Sequence, residues 1–447
     1  MESLEAQIEE WRRYVGQSPA VDRADIDELE AHLRDQITDL GEAGLEADEA
    51  FLVAVKRMGD VDALSREFAR EHSDRLWKQL VLTEPDREER ASNGLTEALV
   101  FAVAAATVTQ VARLLADYPA EEPSWFYRNV SLFVLPFLAW YFVRRRHLTL
   151  RSGLVVTTPF LLAAIVVNLY PWAPDSDTER LVALYLPAVL WFAVAIPYMG
   201  GIWRSHDRRM DFVRFSGEWS IYYVLIAIAG GALVALTAVI LDPIDSDLSQ
   251  AVVEAVLPSG AAGAVIVAAW LVEAKASVVE NMAPVLAKVF TPLFALMLTG
   301  AAIVYAVTWL GGDFDRDVLV VFDVMLVMVL GLVVYGISAR GPLQPPGLMD
   351  RIQLEAMTAA LVLDLMVLGT MVARIGDLGF TPNRAAALGL NLALLVNLAG
   401  AAVLSLRFVS GRVAFHRLER WQTAYLPVFA GWAAAVVVVV PPLFGFE

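Results

Sequence analysis

Residues 217–241 read GEWSIYYVLIAIAGGALVALTAVIL. After Glu218 the run carries no charged side chain. As a helix it rises about 37 Å, enough to cross the ~30 Å hydrocarbon core of a bilayer. Arg204, Arg208, Arg209 and Arg214 stand before it, and Asp242, Asp245 and Asp247 stand after it. An apolar run flanked in this way is a membrane span with a direction, because basic loops are retained in the cytoplasm.

The same pattern extends outward on both sides. Apolar stretches at 94–116, 129–143, 152–171, 181–200, 250–272, 285–310, 317–337, 352–374, 384–406 and 421–442 join 217–241. The expected fold is therefore all-α, with a polytopic transmembrane bundle of about eleven spans. The loop charges alternate. Arg75, Lys78, Arg87 and Arg90 precede the first span, and Asp117, Glu121 and Glu122 follow it. Arg144, Arg145, Arg146 and Arg151 then answer Asp175, Asp177 and Glu179 across the third span. Lys275 and Lys288, Arg340 and Arg351, and Arg407, Arg412, Arg417 and Arg420 continue the basic side, while Asp313, Asp315 and Asp317 continue the acidic one. This places the N-terminus in the cytoplasm and Glu447 outside, in a multi-pass cell membrane protein. One loop breaks the alternation: between 374 and 384 lie Arg374, Asp377 and Arg384.

Composition agrees, with 57% hydrophobic residues and a mean hydropathy of +0.56. The net charge of −16 is concentrated at one end, since residues 1–93 carry 24 acidic and 12 basic side chains. Such an acidic segment argues against nucleic acid as a partner. The absence of cysteine excludes disulfides, thiolate metal sites and cysteine nucleophiles. The first residues are charged and lack the apolar core of a signal peptide, so the first span is expected to direct insertion.

Residues 1–80 read as a small cytosolic helical bundle. Leu4, Ile8, Trp11 and Val15 form one helical stripe, and Ile26, Leu29, Leu33, Ile37 and Leu40 a second. Phe51, Val55 and Met58 form a third, and Val61, Leu64 and Phe68 a fourth. Leu76, Trp77, Leu80 and Val81 suit a membrane surface, and residues 81–93 form a charged linker containing Pro85. His32 is read as an exposed helix residue. Residues 94–447 are the transmembrane domain.

The stretch Asp27–Asp35, with Gly44, Glu49–Ala50–Phe51, Met58–Gly59 and Leu64–Phe68, resembles the permease prefix domain of bacteria. That resemblance covers roughly residues 1–75. It implies a helical module ahead of a membrane domain, in some cases a transporter permease, and brings no catalytic residues. The turn Gly379–Arg384 with Leu388–Leu392 resembles a polytopic bacterial family that also follows such heads, over roughly residues 320–410. No chemistry transfers from it.

Polar residues inside spans mark either function or packing specificity. Asp364 lies near the middle of its span, with Asp323 in the preceding span and Asn391 and Asn397 in the following one. Glu355 is nine residues from Asp364 and so on the opposite helix face. These five are the candidate intramembrane polar site. On one reading they form a pocket in which Asp364 binds an ion, proton or substrate. On the other, Asp364 is hydrogen-bonded to Asn391, Asn397 or a hydroxyl and locks helices together. The prolines 136, 159, 187, 292 and 427 are expected to kink helices, and small residues such as Ser259 with Gly263 and Gly230–Gly231 to bring them close. Thr381 is placed as N-cap and Pro382 as first helical residue, with Arg384 set against Asp377 or lipid phosphate.

No zinc, Walker or nucleophile-elbow motif is present, and all five histidines lie outside the spans. No catalytic residue, metal or cofactor is therefore assigned. An intramembrane transferase on a lipid substrate ranks last. Two classes remain. One is a transport-like permease. The other is a membrane sensor or regulatory adaptor signalling to a protein partner through its cytosolic head. Deleting residues 1–93 separates them, since a transporter keeps flux and an adaptor loses its output. In both the bilayer is the constant partner.

Overall fold

The computed structural model describes residues 4–15, 23–42, 45, 47–58, 86–116, 124–242, 246–274, 290–305, 316–340 and 344–447. Among them all regular structure is helical. The chain divides into two compact units, Met1–Asn93 and Gly94–Glu447.

The first unit contains α1 (Leu4–Val15), α2 (Arg23–Glu42) and α3 (Ala47–Met58). Their apolar stripes turn inward, and Ile8, Trp11, Leu33, Ile37, Leu40, Phe51 and Val55 form one core with Leu4 at its margin. Asp48 and Glu49 sit in the first turn of α3, where the helix dipole favours negative charge. Arg34 fastens α2 to α1: its two terminal nitrogens donate to the Glu5 carboxylate at 2.8 Å each, and its Nε donates to Glu30 at 3.1 Å. This hydrogen bonding holds the Glu5 carboxyl below the usual carboxylate range and raises Arg34. His32 is exposed. The fourth stripe, the surface stretch 76–81 and the linker up to Pro85 lie outside the described residues. The helix of the first span begins at Asp86, within the expected linker 81–93.

The second unit takes α4 (Asp86–Leu115) from Gly94 onward, then α5 (Ser124–Arg145), α6 (Leu150–Leu169), α7 (Asp177–Tyr198), α8 (His206–Leu241) and α9 (Ser246–Ala274). Then come α10 (Phe290–Tyr305), α11 (Arg316–Ala339), α12 (Leu348–Leu378), α13 (Pro382–Val409), α14 (His416–Val438) and the short α15 (Val440–Leu443). Ten of these are long and apolar enough to cross a membrane. Of the other two, α15 has only four residues, and α10 is the described part of the expected span at 285–310.

Contacts between helix ends show that α10 has to be counted as a crossing. Thr178 N–H donates to the Glu447 carbonyl at 2.9 Å, and Asn383 Nδ2 donates to Asp177 Oδ2 at 2.9 Å. At the other end Arg214 Nη2 donates to the Ser338 carbonyl at 2.6 Å, and His206 Nδ1 lies 2.7 Å from Thr423 Oγ1. Each pair is joined through the segment between α9 and α11. Each lies on one side only if the number of intervening crossings is even, which needs one crossing in that segment. The C-terminus therefore lies on the same side as the loops at 170–178 and 379–383.

Two cores fill this unit. The first draws on α4 to α9, with Leu138, Phe142, Leu186, Leu190, Phe215 and Ile266 among its fully buried residues. The second draws on α10 to α14, with Leu298, Leu326, Leu363, Leu394 and Leu398 at its centre. They meet through α7, α8, α13 and α14, where Leu181, Ala386 and Val436 form a small joining cluster with Val440. The helices run on through Pro136, Pro159, Pro187 and Pro427 without interruption. Ser259 and Gly263 do admit a close approach: Ser259 Oγ donates to Gln110 at 3.0 Å, and a Cβ on Gly263 would lie 3.7 Å from the Ala102 carbonyl. Gly230–Gly231 do not, as a Cβ on either would meet no other helix within 4 Å. Closer approaches occur at Gly389 against Trp432, Gly400 against Trp421 and Gly217 against Tyr335, where any side chain would overlap the ring.

Candidate functional site

Between the two cores lies a groove of about 1550 Å³, walled by α7, α8, α10, α11, α12, α13 and α14. Its lining is mainly Leu, Val, Ile, Phe and Met, with Tyr185, Ser216, Ser220, Asp323 and Gln422 as interior polar groups. One mouth is set by Asp177, Arg374, Thr381, Asn383 and Arg384. It is on the C-terminal side, since the Phe380 and Phe444 rings pack at 5.7 Å there and Asn383 bonds Asp177.

Local sequence builds this mouth. Thr381 caps α13, its hydroxyl accepting from Arg384 N–H at 3.4 Å, and Pro382 opens the helix. The expected pairing of Arg384 with Asp377 is not formed. Its Nη1 instead donates to the Gly379 carbonyl at 2.6 Å. Gly379 sits at φ +83°, a left-handed conformation that a side chain would strain, and ends α12 sharply enough to turn the chain into α13.

The five expected polar residues do not form one pocket. Asp323 is half-buried on the groove wall and accepts from Asn391 Nδ2 at 2.8 Å, tying α11 to α13. Asn397 is fully buried and donates to Gln422 Oε1 at 3.0 Å, while its carbonyl accepts from Trp421 Nε1 at 3.0 Å, tying α13 to α14. Glu355 is exposed and accepts from Thr299 at 3.3 Å, linking α12 to α10. Asp364, on the other face of α12, is fully buried, and neither carboxylate oxygen has a hydrogen-bond partner. The expected bonds from Asn391, Asn397 or a hydroxyl are absent because both amides are used between other helices. Asp364 does not line the groove.

Sequence reasoning did not single out the ion pairs at helix ends. Arg128 pairs with Glu179, with its guanidinium 5.4 Å from the Trp172 ring centre. Glu273 pairs with Arg145 at 3.2 Å and Arg146 at 2.8 Å. Arg340 meets Asp350 at 2.8 Å, enclosed by Phe408 and Phe415. A second, smaller pocket of about 460 Å³ at the opposite end holds Arg146, Arg208, Asp211, Arg214 and Glu218. The mouth residues Arg374 and Arg384 were visible in the sequence only as the loop that breaks the charge alternation.

Among the described residues no cluster of His, Asp or Glu gathers as a metal site requires. Compared with family profiles, curated proteins and solved structures, the chain matches none.

Proposed function

We propose that this multi-pass membrane protein is transport-like, a permease in which a solute passes along the groove between the two cores. The groove is the observation that carries this reading. The two cores meet along a seam of α7, α8, α13 and α14, and rocking of one bundle against the other along that seam would open the groove alternately to either side. Asp364 is then the coupling ligand. An ionised carboxylate in its position costs several kcal/mol unless a proton, cation or water accompanies it. Loop charge supports a cytoplasmic head and an external Glu447, and the head's pattern supports a bacterial module of the permease prefix type. On this reading the chain performs no covalent chemistry.

The chain contains no cysteine, so single cysteines report access without a background. Ser220→Cys and Ala387→Cys, both on the groove wall, are labelled with a membrane-impermeant maleimide in right-side-out and inverted vesicles. Transport predicts reaction from both sides, with the balance altered by Asp364→Asn. Labelling from one side alone overturns it. That outcome would support the second reading, a sensor or adaptor acting on a protein partner, which the separate core of the head favours.

A further inference from the structure

We propose that the groove binds a lipophilic organic cation, with Asp323 as its counter-ion and the aromatic wall around its apolar groups. This rests on the groove being the path of a solute and names the class of that solute.

Asp323 is the one charged side chain among the interior lining residues, the other charges standing at the mouth. Its bond from Asn391 comes from a neutral amide and occupies Oδ1 alone, at 2.8 Å. Among the described residues no further hydrogen bond and no ion pair reaches it, from Arg374, Arg384 or any other group. Its Oδ2 stays open, unlike the two oxygens of Asp364, which are both enclosed. A carboxylate in an apolar wall is costly to keep ionised without a partner, and the protein supplies none.

The rest of the wall decides what kind of cation fits. Nine aromatic side chains line the groove, Tyr185, Phe290, Phe294, Phe429 and Trp432 among them. Aromatic faces attract cations and bury apolar surface at the same time. A small hydrated cation would exchange its water for one carboxylate and an apolar surface, whereas hard cations bind through several oxygens. A bulky cation with its charge spread over apolar groups gives up little. The volume of about 1550 Å³ exceeds the ~300–1,000 Å³ of an ordinary small-molecule site, so bulk is no obstacle.

The route is sideways. Val320, Val324, Val327 and Met328 line the groove and are also exposed, so α11 borders an opening toward the bilayer. Asp323 is three residues from Val320 and four from Val327, the spacings of neighbours on a helix surface, and so it stands at that opening. A cation dissolved in the bilayer reaches it without passing the arginines of the mouth. A lipophilic anion would be repelled there, and a neutral apolar solute would leave the carboxylate unpaired.

The test uses the purified full chain in nanodiscs and radiolabelled tetraphenylphosphonium, with tetraphenylborate as an anion of the same shape. Equilibrium dialysis is run against empty nanodiscs, and excess unlabelled probe separates saturable binding from partition into lipid. The expected result is saturable binding of the cation that weakens about thirtyfold in Asp323→Asn, a variant that keeps an acceptor for Asn391 and loses the charge. Asp323→Glu, which keeps the charge, should retain binding. Gly331→Phe, which fills the groove and leaves the carboxylate in place, should abolish it. Gel filtration reports whether each variant is folded, and if Asp323→Asn is not, Gly331→Phe and the tetraphenylborate comparison decide. No saturable binding, unchanged affinity in Asp323→Asn or Gly331→Phe, or equal saturable binding of tetraphenylborate overturns the proposal. Asp323-dependent binding with one-sided cysteine access would leave the cation site standing and remove the transport reading. Two-sided access without Asp323-dependent binding would do the reverse.

Discussion

The two cores of the membrane unit treat buried charge in opposite ways. In the first, the buried Arg113, Arg128 and Glu179 each meet an ion of opposite sign, at Glu254, Glu179 and Arg128 respectively. In the second, Arg340 and Asp350 are paired near a helix end, while Asp364 at the middle of α12 has no hydrogen-bond partner at all. Paired ions at helix ends cost little to keep and much to break. A lone carboxylate in the interior costs stability as it stands and persists only where something beyond packing retains it. The first core keeps its buried charges paired, and the second holds one that is not hydrogen-bonded.

Breaking a pair in the first core is the largest expected effect. Glu179→Ala strands Arg128 and should cost about 3–5 kcal/mol, read as a lowered unfolding midpoint in detergent. Removing the lone carboxylate of the second core should do the opposite. Asp364→Leu takes away a buried, unbonded group and is expected to stabilise by about 1–3 kcal/mol, while abolishing any ion- or proton-coupled activity. A loss of stability in Asp364→Leu would erase the contrast between the cores. The smallest effect lies in the head. Glu5 is depressed in the folded state by Arg34, so its contribution is present above the unfolded carboxyl value and lost as pH falls through the folded one. Hydrogen-exchange protection factors of α1 and α2, corrected for the intrinsic pH dependence of exchange, should therefore fall slightly between about pH 5 and the more acidic range, and the change should vanish in Arg34→Gln. Because the pair is exposed, the shift is small.

Much of this architecture was legible beforehand, for a local reason. The stripes through Ile8, Trp11, Leu33, Ile37, Phe51 and Val55 became the head's core because helical periodicity is written in neighbouring residues. The spans were legible because a bilayer demands a continuous apolar run. The N-cap at Thr381 followed from three consecutive residues. Partner choice was not legible. Asn391 and Asn397 stood as equal candidates to bond Asp364, and the fold gave one to Asp323 and the other to Gln422. Arg374 and Arg384 drew notice as an irregular loop, and nothing local showed that α7 brings Asp177 to the same mouth.

By itself the sequence determined that this chain is a helical head followed by a multi-pass membrane bundle, because hydropathy and helical period act over one or two turns at a time. Tertiary structure alone decided that the spans pack as two cores with a groove between them, that four of the five candidate polar residues bond across helices, and that Asp364 is left alone. The physical reason is reach. A side-chain hydrogen bond or a cavity wall joins residues tens to hundreds of positions apart, as Asp177 and Asn383 show, and no periodicity along the chain records which helix becomes whose neighbour.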